Sequence, residues 1–193
     1  MTRFWKPACV TLLAALVGAM LIFKGGGGPA REFPDECFFN RSNDADQKKL
    51  ESLLGKPMPA LQVSDWINGE VTAEEMKGKV VVIDIWATWC GPCLAAIPHT
   101  NELMDKHAND GLVIVGVCSS SNGQDKLADV VAQQGIKYPV AKDPDSKTAM
   151  AYNVAFFPTY VVVDRAGKVR AIGLQPDGVD TVVKKLLAEK APA

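Results

Sequence analysis

The 193-residue sequence predicts an α/β fold in which a mixed central sheet is flanked by helices on both sides. Three observations lead there. Val80–Trp86 is a near-continuous apolar run rich in β-branched residues, the pattern of a strand buried on both faces of a parallel sheet. Leu112–Val117 repeats that pattern, and the helix-length stretch from Gly91 to Ala108 between the two completes a βαβ unit. Further on, Thr159–Val163 and Val169–Ile172 flank the turn Asp164-Arg165-Ala166-Gly167 and read as an antiparallel hairpin, which makes the sheet mixed.

Taken in order, residues 1–30 read as an export segment. Arg3 and Lys6 precede an apolar run of 16 residues from Ala8 to Phe23, followed by Lys24, the glycines 25–28, Pro29 and Ala30. The run is slightly long for a signal-peptide core and short of the roughly 18–20 residues that cross a bilayer. Cleavage after Ala30 and retention as a membrane anchor, with Trp5 at the interface, both stay open. Residues 31–54 read as a linker or irregular extension: 31–47 lack periodicity, although Cys37-Phe38-Phe39 hints at docking, and Lys48–Leu54 suggests one or two helical turns ended by Gly55 and Pro57. Residues 55–190 form the expected domain. A strand at Leu61–Val63, the turn Asn68-Gly69 and Val71 suggest an N-terminal β-hairpin, and Thr72 to Glu75 resembles a capping box. Helices follow at Gln124–Gln134, with Leu127, Val130 and Val131 on one face, at Ser146–Tyr152, and at Val179–Ala188, with a strand at Tyr138–Ala141.

Composition narrows the chemistry. With 48% hydrophobic and 22% charged residues the chain is ordinary globular protein, neither disordered nor collagenous. Its 21 basic and 22 acidic residues leave a net charge of −1, too weak a field to hold nucleic acid. Without residues 1–30 the balance is 18 basic to 22 acidic, a mildly acidic body. Five cysteines are too few for a disulfide-stapled mini-domain, but two are spaced C-x-x-C.

Trp89-Cys90-Gly91-Pro92-Cys93 lies where the buried strand ends and a helix begins. The unpaired first amides and the helix dipole favour a thiolate at Cys90. Gly91 permits a tight bend, Pro92 has its φ preset for the first turn, and Cys93 stands one turn on, within reach of a mixed disulfide formed at Cys90. Attack by Cys90 and resolution by Cys93 is thiol–disulfide exchange, which needs neither cofactor nor metal. A zinc site would need two more ligands, and the only histidines, His99 and His107, fall on the helix that follows.

Asp84-Ile85-Trp86-Ala87-Thr88-Trp89-Cys90-Gly91-Pro92-Cys93, with Pro98 five residues later, closely resembles the active-site segment of thioredoxins. Gly78–Ile83 and Phe157-Pro158-Thr159 before an apolar strand look like the exported TlpA/ResA branch. The resemblance spans about residues 55–190 and implies a thioredoxin-like fold with an N-terminal β-hairpin and a central helical insertion. It also implies reduction of protein disulfides outside the cytosol, on the periplasmic or cell-envelope side, with electrons from a membrane dithiol donor, often in cytochrome c maturation.

By the same resemblance Asp84 matches the buried aspartate that moves the proton as Cys93 is deprotonated, and desolvation should raise its pKa. Many relatives carry a glutamate three residues after the second cysteine, where this chain has Ala96. Pro158 corresponds to the cis-proline facing the dithiol, and Phe157 before it is bulkier than usual, with core packing and client contact equally open. Trp89, Gly91, Pro92, Phe157 and Thr159 are the expected client-binding surface, Trp86 is expected to pack beneath the loop, and His99 and His107 are expected to be solvated. Cys37 and Cys118 either form a structural disulfide or remain free thiols. Alternatives to a reductase are a disulfide oxidase or isomerase, a peroxiredoxin, which the Ala87 position and the dithiol disfavour, and a copper chaperone, which lacks a histidine beyond His107.

Overall fold

The structure, a computed structural model, describes residues 31–39 and 44–190. The export segment expected over residues 1–30, with its apolar run 8–23 and Cys9, lies outside the described residues. No helix among the described residues is long and apolar enough to cross a membrane.

The strands are β1 (Ser64–Ile67), β2 (Val80–Trp86), β3 (Leu112–Cys118), β4 (Val140–Lys142), β5 (Thr159–Val163) and β6 (Val169–Leu174), in the order β1-β4-β3-β2-β5-β6. β2, β3 and β4 run parallel, whereas β1, β5 and β6 each run antiparallel to the strand they pair with. The helices are α1 (Asp44–Glu51), α2 (Ala73–Met76), α3 (Gly91–His107), α4 (Leu127–Gln134), α5 (Lys147–Ala151) and α6 (Pro176–Ala188). Helical segments between β3 and β5 supply the expected insertion.

All seven residues of β2 are buried, and their alternation divides the core in two. Val80, Val82 and Trp86 join the cluster built with α3, α4 and α6, while Val81, Ile83 and Ile85 join the one built with α1 and α5. Asp84 shares the parity of Val82 and Trp86, so it lies on the α3 face.

Two local expectations change. Asn68 (φ 63) and Gly69 (φ 105) do turn the chain, yet no N-terminal hairpin forms among the described residues. β1 pairs instead with the edge of β4, fastened by the Asn68 side-chain amide donating to the carbonyls of Ile136 and Tyr138 at 2.7 and 3.3 Å. The chain after the turn enters α2 through the expected capping box of Thr72 and Glu75.

The segment read as a linker is docked: Phe33, Cys37, Phe38, Leu50 and Leu54 are buried, and a helical turn at Asp35–Cys37 precedes α1. Its backbone covers the outer edge of β6. Phe39 N donates to Gly173 O and Gln175 N to Cys37 O, while Gly55 N donates to Val169 O and Val169 N to Lys56 O. Arg170 adds ion pairs to Glu32, Asp164 and Glu189, and its hydrogen bond is the chief cause that lowers the Glu32 pKa.

Gly178, in the first turn of α6, permits this docking, because a Cβ there would stand 2.1 Å from the Cys37 carbonyl oxygen. Gly178→Ala is therefore expected to displace residues 36–38 and cost about 1–3 kcal/mol in urea unfolding. An unchanged midpoint would show that the N-terminal segment contributes nothing to the fold.

Candidate active site

β2 ends at Trp86, the loop 87–90 turns over the sheet edge, and α3 begins at Gly91. Cys90 is the N-cap residue of α3, with φ −80 and ψ 99, and its sulfur accepts from Cys93 N at 3.3 Å. Gly91 and Pro92 fill the first helical positions and are exposed. Cys90 and Cys93 are joined as a disulfide, with Cα atoms 5.2 Å apart. Their own exposure is small, 4% and 3%, whereas Trp89 beside them is 60% exposed.

On the neighbouring strand the Phe157–Pro158 peptide is cis, as expected. The register pairs Ile85 with Thr159, so Pro158 arrives at the end of β2 from which the Cys90 loop departs. Phe157 is half-buried: it packs against the core and meets Trp89 edge-to-face at 6.0 Å. Trp86 is 1% exposed, packed beneath the loop as expected. Thr159 departs from its expected place on the surface. Its side chain is fully buried and its hydroxyl donates to Phe156 O at 2.6 Å, so that hydroxyl closes the bend before β5 rather than facing solvent.

Asp84 is 3% exposed, and burial pushes its carboxyl up to about 7, opposed by a hydrogen bond from the Tyr138 hydroxyl to Oδ2 at 3.3 Å. Oδ1 has no partner among the described residues. Desolvation thus shifts the carboxyl in the direction expected from its place inside an apolar strand.

Of the two readings left open for Cys37 and Cys118, the free-thiol one holds. Cys37 and Cys118 are separate, buried thiols, one outside β6 and the other at the end of β3 with β2 and β5 between, a span no disulfide bridges. Burial raises both pKa values, that of Cys118 to about 11. The histidines are not solvated. His99 and His107 are half-buried with Nε2 enclosed, and His107 Nδ1 lies 2.9 Å from Asp110 Oδ2.

The sequence reading missed the loop after β3. Ser120 Oγ accepts from Trp89 Nε1 at 3.0 Å, and Thr88 Oγ1 donates to Gly123 O at 3.0 Å, so residues 119–123 form one wall beside the dithiol. Fully buried Asp143 holds that wall through bonds from Ser119 Oγ, Thr148 N and Ala149 N. The Ser119-Ser120-Ser121-Asn122-Gly123 run following a buried strand was the available signal.

The family model for Redoxin matches residues 53–187. The chain belongs to the Redoxin family. This redoxin is 34% identical over 125 residues to the thiol-disulfide oxidoreductase ResA of Bacillus thuringiensis (strain Al Hakam), covering 65% of this chain and 70% of that one. It is 32% identical over 139 residues to the thiol-disulfide oxidoreductase YkuV of Bacillus subtilis (strain 168), covering 69% and 93%. Among solved structures, a thiol:disulfide interchange protein of the thioredoxin family from Chlorobium tepidum TLS superposes with a TM-score of 0.58 at 26% identity, over 69% of this chain and 98% of that one. The thioredoxin-like fold and a thiol–disulfide oxidoreductase activity, with Cys90 and Cys93 as the redox pair, stand on these likenesses.

The Asp84 carboxyl sets a pH dependence of stability. Its folded pKa of about 7 lies above the ordinary 3.8, so between those values the folded protein holds a proton the unfolded chain has released, and stability falls as pH rises through that window. The loss is at most about 4 kcal/mol. Asp84→Asn in the disulfide form is expected to remove that slope and raise the unfolding midpoint more at pH 8 than at pH 5. Equal shifts at both would mean that Asp84 does not titrate there.

Proposed function

We propose that this chain is an exported protein-disulfide reductase in which Cys90 attacks client disulfides and Cys93 resolves the intermediate. The observation that carries this reading is the Cys90–Cys93 pair at the head of a 17-residue helix, after a strand that buries a carboxyl and next to a strand that opens with a cis-proline. In the reduced protein the amides and dipole of α3 stabilise the Cys90 thiolate. That thiolate attacks one client sulfur, forming a mixed disulfide and expelling the other client sulfur as a thiolate. Asp84, as carboxylate, takes the Cys93 proton. The Cys93 thiolate then attacks the Cys90 sulfur, releasing the second client thiolate and leaving the internal disulfide. Two electrons pass from dithiol to client, and a membrane dithiol donor returns them.

Trp89, Gly91, Pro92 and Phe157 form the client-facing surface, an apolar indole and phenyl edge beside an exposed turn. Residues 1–30 serve as signal or membrane anchor, which places the body at the cell envelope, where the resemblance to the TlpA/ResA branch suggests cytochrome c maturation as its setting. The domain itself is assigned to residues 55–190, with 31–54 leading into it.

Direction of electron flow is read from the redox potential. Thioredoxin carries the same Gly-Pro dipeptide between its cysteines, so a value near its potential of about −270 mV is expected, and one near about −120 mV would make the protein an oxidant instead. Cys90→Ser should abolish insulin reduction, and Cys93→Ser should accumulate a mixed disulfide with client. Full activity in either variant overturns the assignment.

A further inference from the structure

Among the described residues, the sole hydrogen bond that reaches the Asp84 carboxyl comes from a residue no sequence motif marks. Tyr138 lies in the segment between α4 and β4, is 1% exposed, and donates its hydroxyl proton to Asp84 Oδ2 at 3.3 Å. It must cross β3 to do so. The register sets Gly116 of β3 opposite Asp84, and a Cβ at Gly116 would stand 3.1 Å from the Tyr138 ring and 3.3 Å from the Trp86 indole nitrogen. The missing side chain is what lets a phenol from the β4 side reach a carboxyl on β2. We propose that Tyr138 is a positioning residue for disulfide exchange, holding Asp84 by Oδ2 so that the unpartnered Oδ1 is the atom that takes the Cys93 proton.

This rests on the proton-acceptor role proposed for Asp84. The step balances simply. The Cys93 S–H bond breaks as an O–H bond forms on Asp84 Oδ1, the Tyr138 proton stays on its oxygen, and the electron pair left on sulfur attacks Cys90. Tyr138 cannot itself serve as the acceptor, because burial raises its pKa well above the ordinary value.

Few other groups can mimic the effect. From β5, Tyr160 pairs in register with Asp84 and is also raised by burial. From α3, Cys90, Cys93 and His99 are the titratable groups on this side, and Thr100 places its hydroxyl within reach of both phenols. β3 offers only Gly116 at this level, and α6 presents Val179, Val182 and Val183. Among the described residues no cation faces the carboxyl from these elements, so the phenol is its one stabilising polar neighbour.

A hydrogen bond to the ionised form favours that form, so its removal should raise the Asp84 midpoint. Carbon-detected NMR of the Asp84 carboxyl in the oxidised full chain is expected to show a rise of about one pH unit in Tyr138→Phe. The pH profile of exchange with a model disulfide should move alkaline by the same amount, with roughly a fivefold lower rate at pH 7. Adding Tyr138→Phe to Asp84→Asn should then change the profile no further, whereas a purely structural tyrosine would lower the rate in both backgrounds. An unmoved carboxyl midpoint, or an unmoved profile where Asp84→Asn is slow, overturns the proposal for Tyr138 and leaves the role of Asp84 standing. If Asp84→Asn exchanges at the unaltered rate, the acceptor role falls and the positioning role falls with it.

Discussion

The molecule depends on one strand having no free surface. β2 is buried at every position, paired on both edges and packed on both faces, so each of its side chains must be satisfied by protein. Six of the seven are apolar and meet that demand by packing. Asp84 is the seventh, and the cost of a charge in that place is what turns a structural position into a proton site. The same strand delivers the chain to the sheet edge at the head of α3, so the demand that makes the carboxyl basic and the geometry that presents Cys90 have one origin.

Two opposite electrostatic environments therefore follow one another along this stretch of chain, six residues apart. At the α3 terminus, unpaired amides stabilise negative charge on the outer sulfur. Beneath it, the dry interior penalises negative charge on Asp84. A carboxylate held there is a stronger base than one in water.

Much of this was legible because it is local. The βαβ unit, the capping box at Thr72, the nucleophile at a helix N-terminus and the buried acid six residues before it follow from periodicity and from the residue types adjacent in sequence. What was illegible depends on partners far along the chain. β1 chose β4 over the nearby Val71, and residues 31–54 look irregular because their order is imposed by β6 and α6. Tyr138 meets a carboxyl 54 positions earlier, and the histidines of α3 are enclosed by tertiary neighbours that helix pattern alone does not reveal. Thr159 was misplaced for a subtler reason: its backbone borders the site, but its hydroxyl is consumed by the bend.

The backbone that lies along β6 has a consequence for solubility. An open sheet invites a second chain to extend it strand by strand, and β6 is an outermost strand whose amides and carbonyls would otherwise be available for that. Residues 37–39 and 55–56 occupy those groups at its two ends. At the opposite margin, β1 is short and irregular in register, with Asp65 at φ 51, a poor template for edge-to-edge growth. Because the Redoxin match begins at residue 53, the 37–39 half of this seal lies in front of the matched region, so trimming the protein to that region would bare one end of β6 and invite self-association.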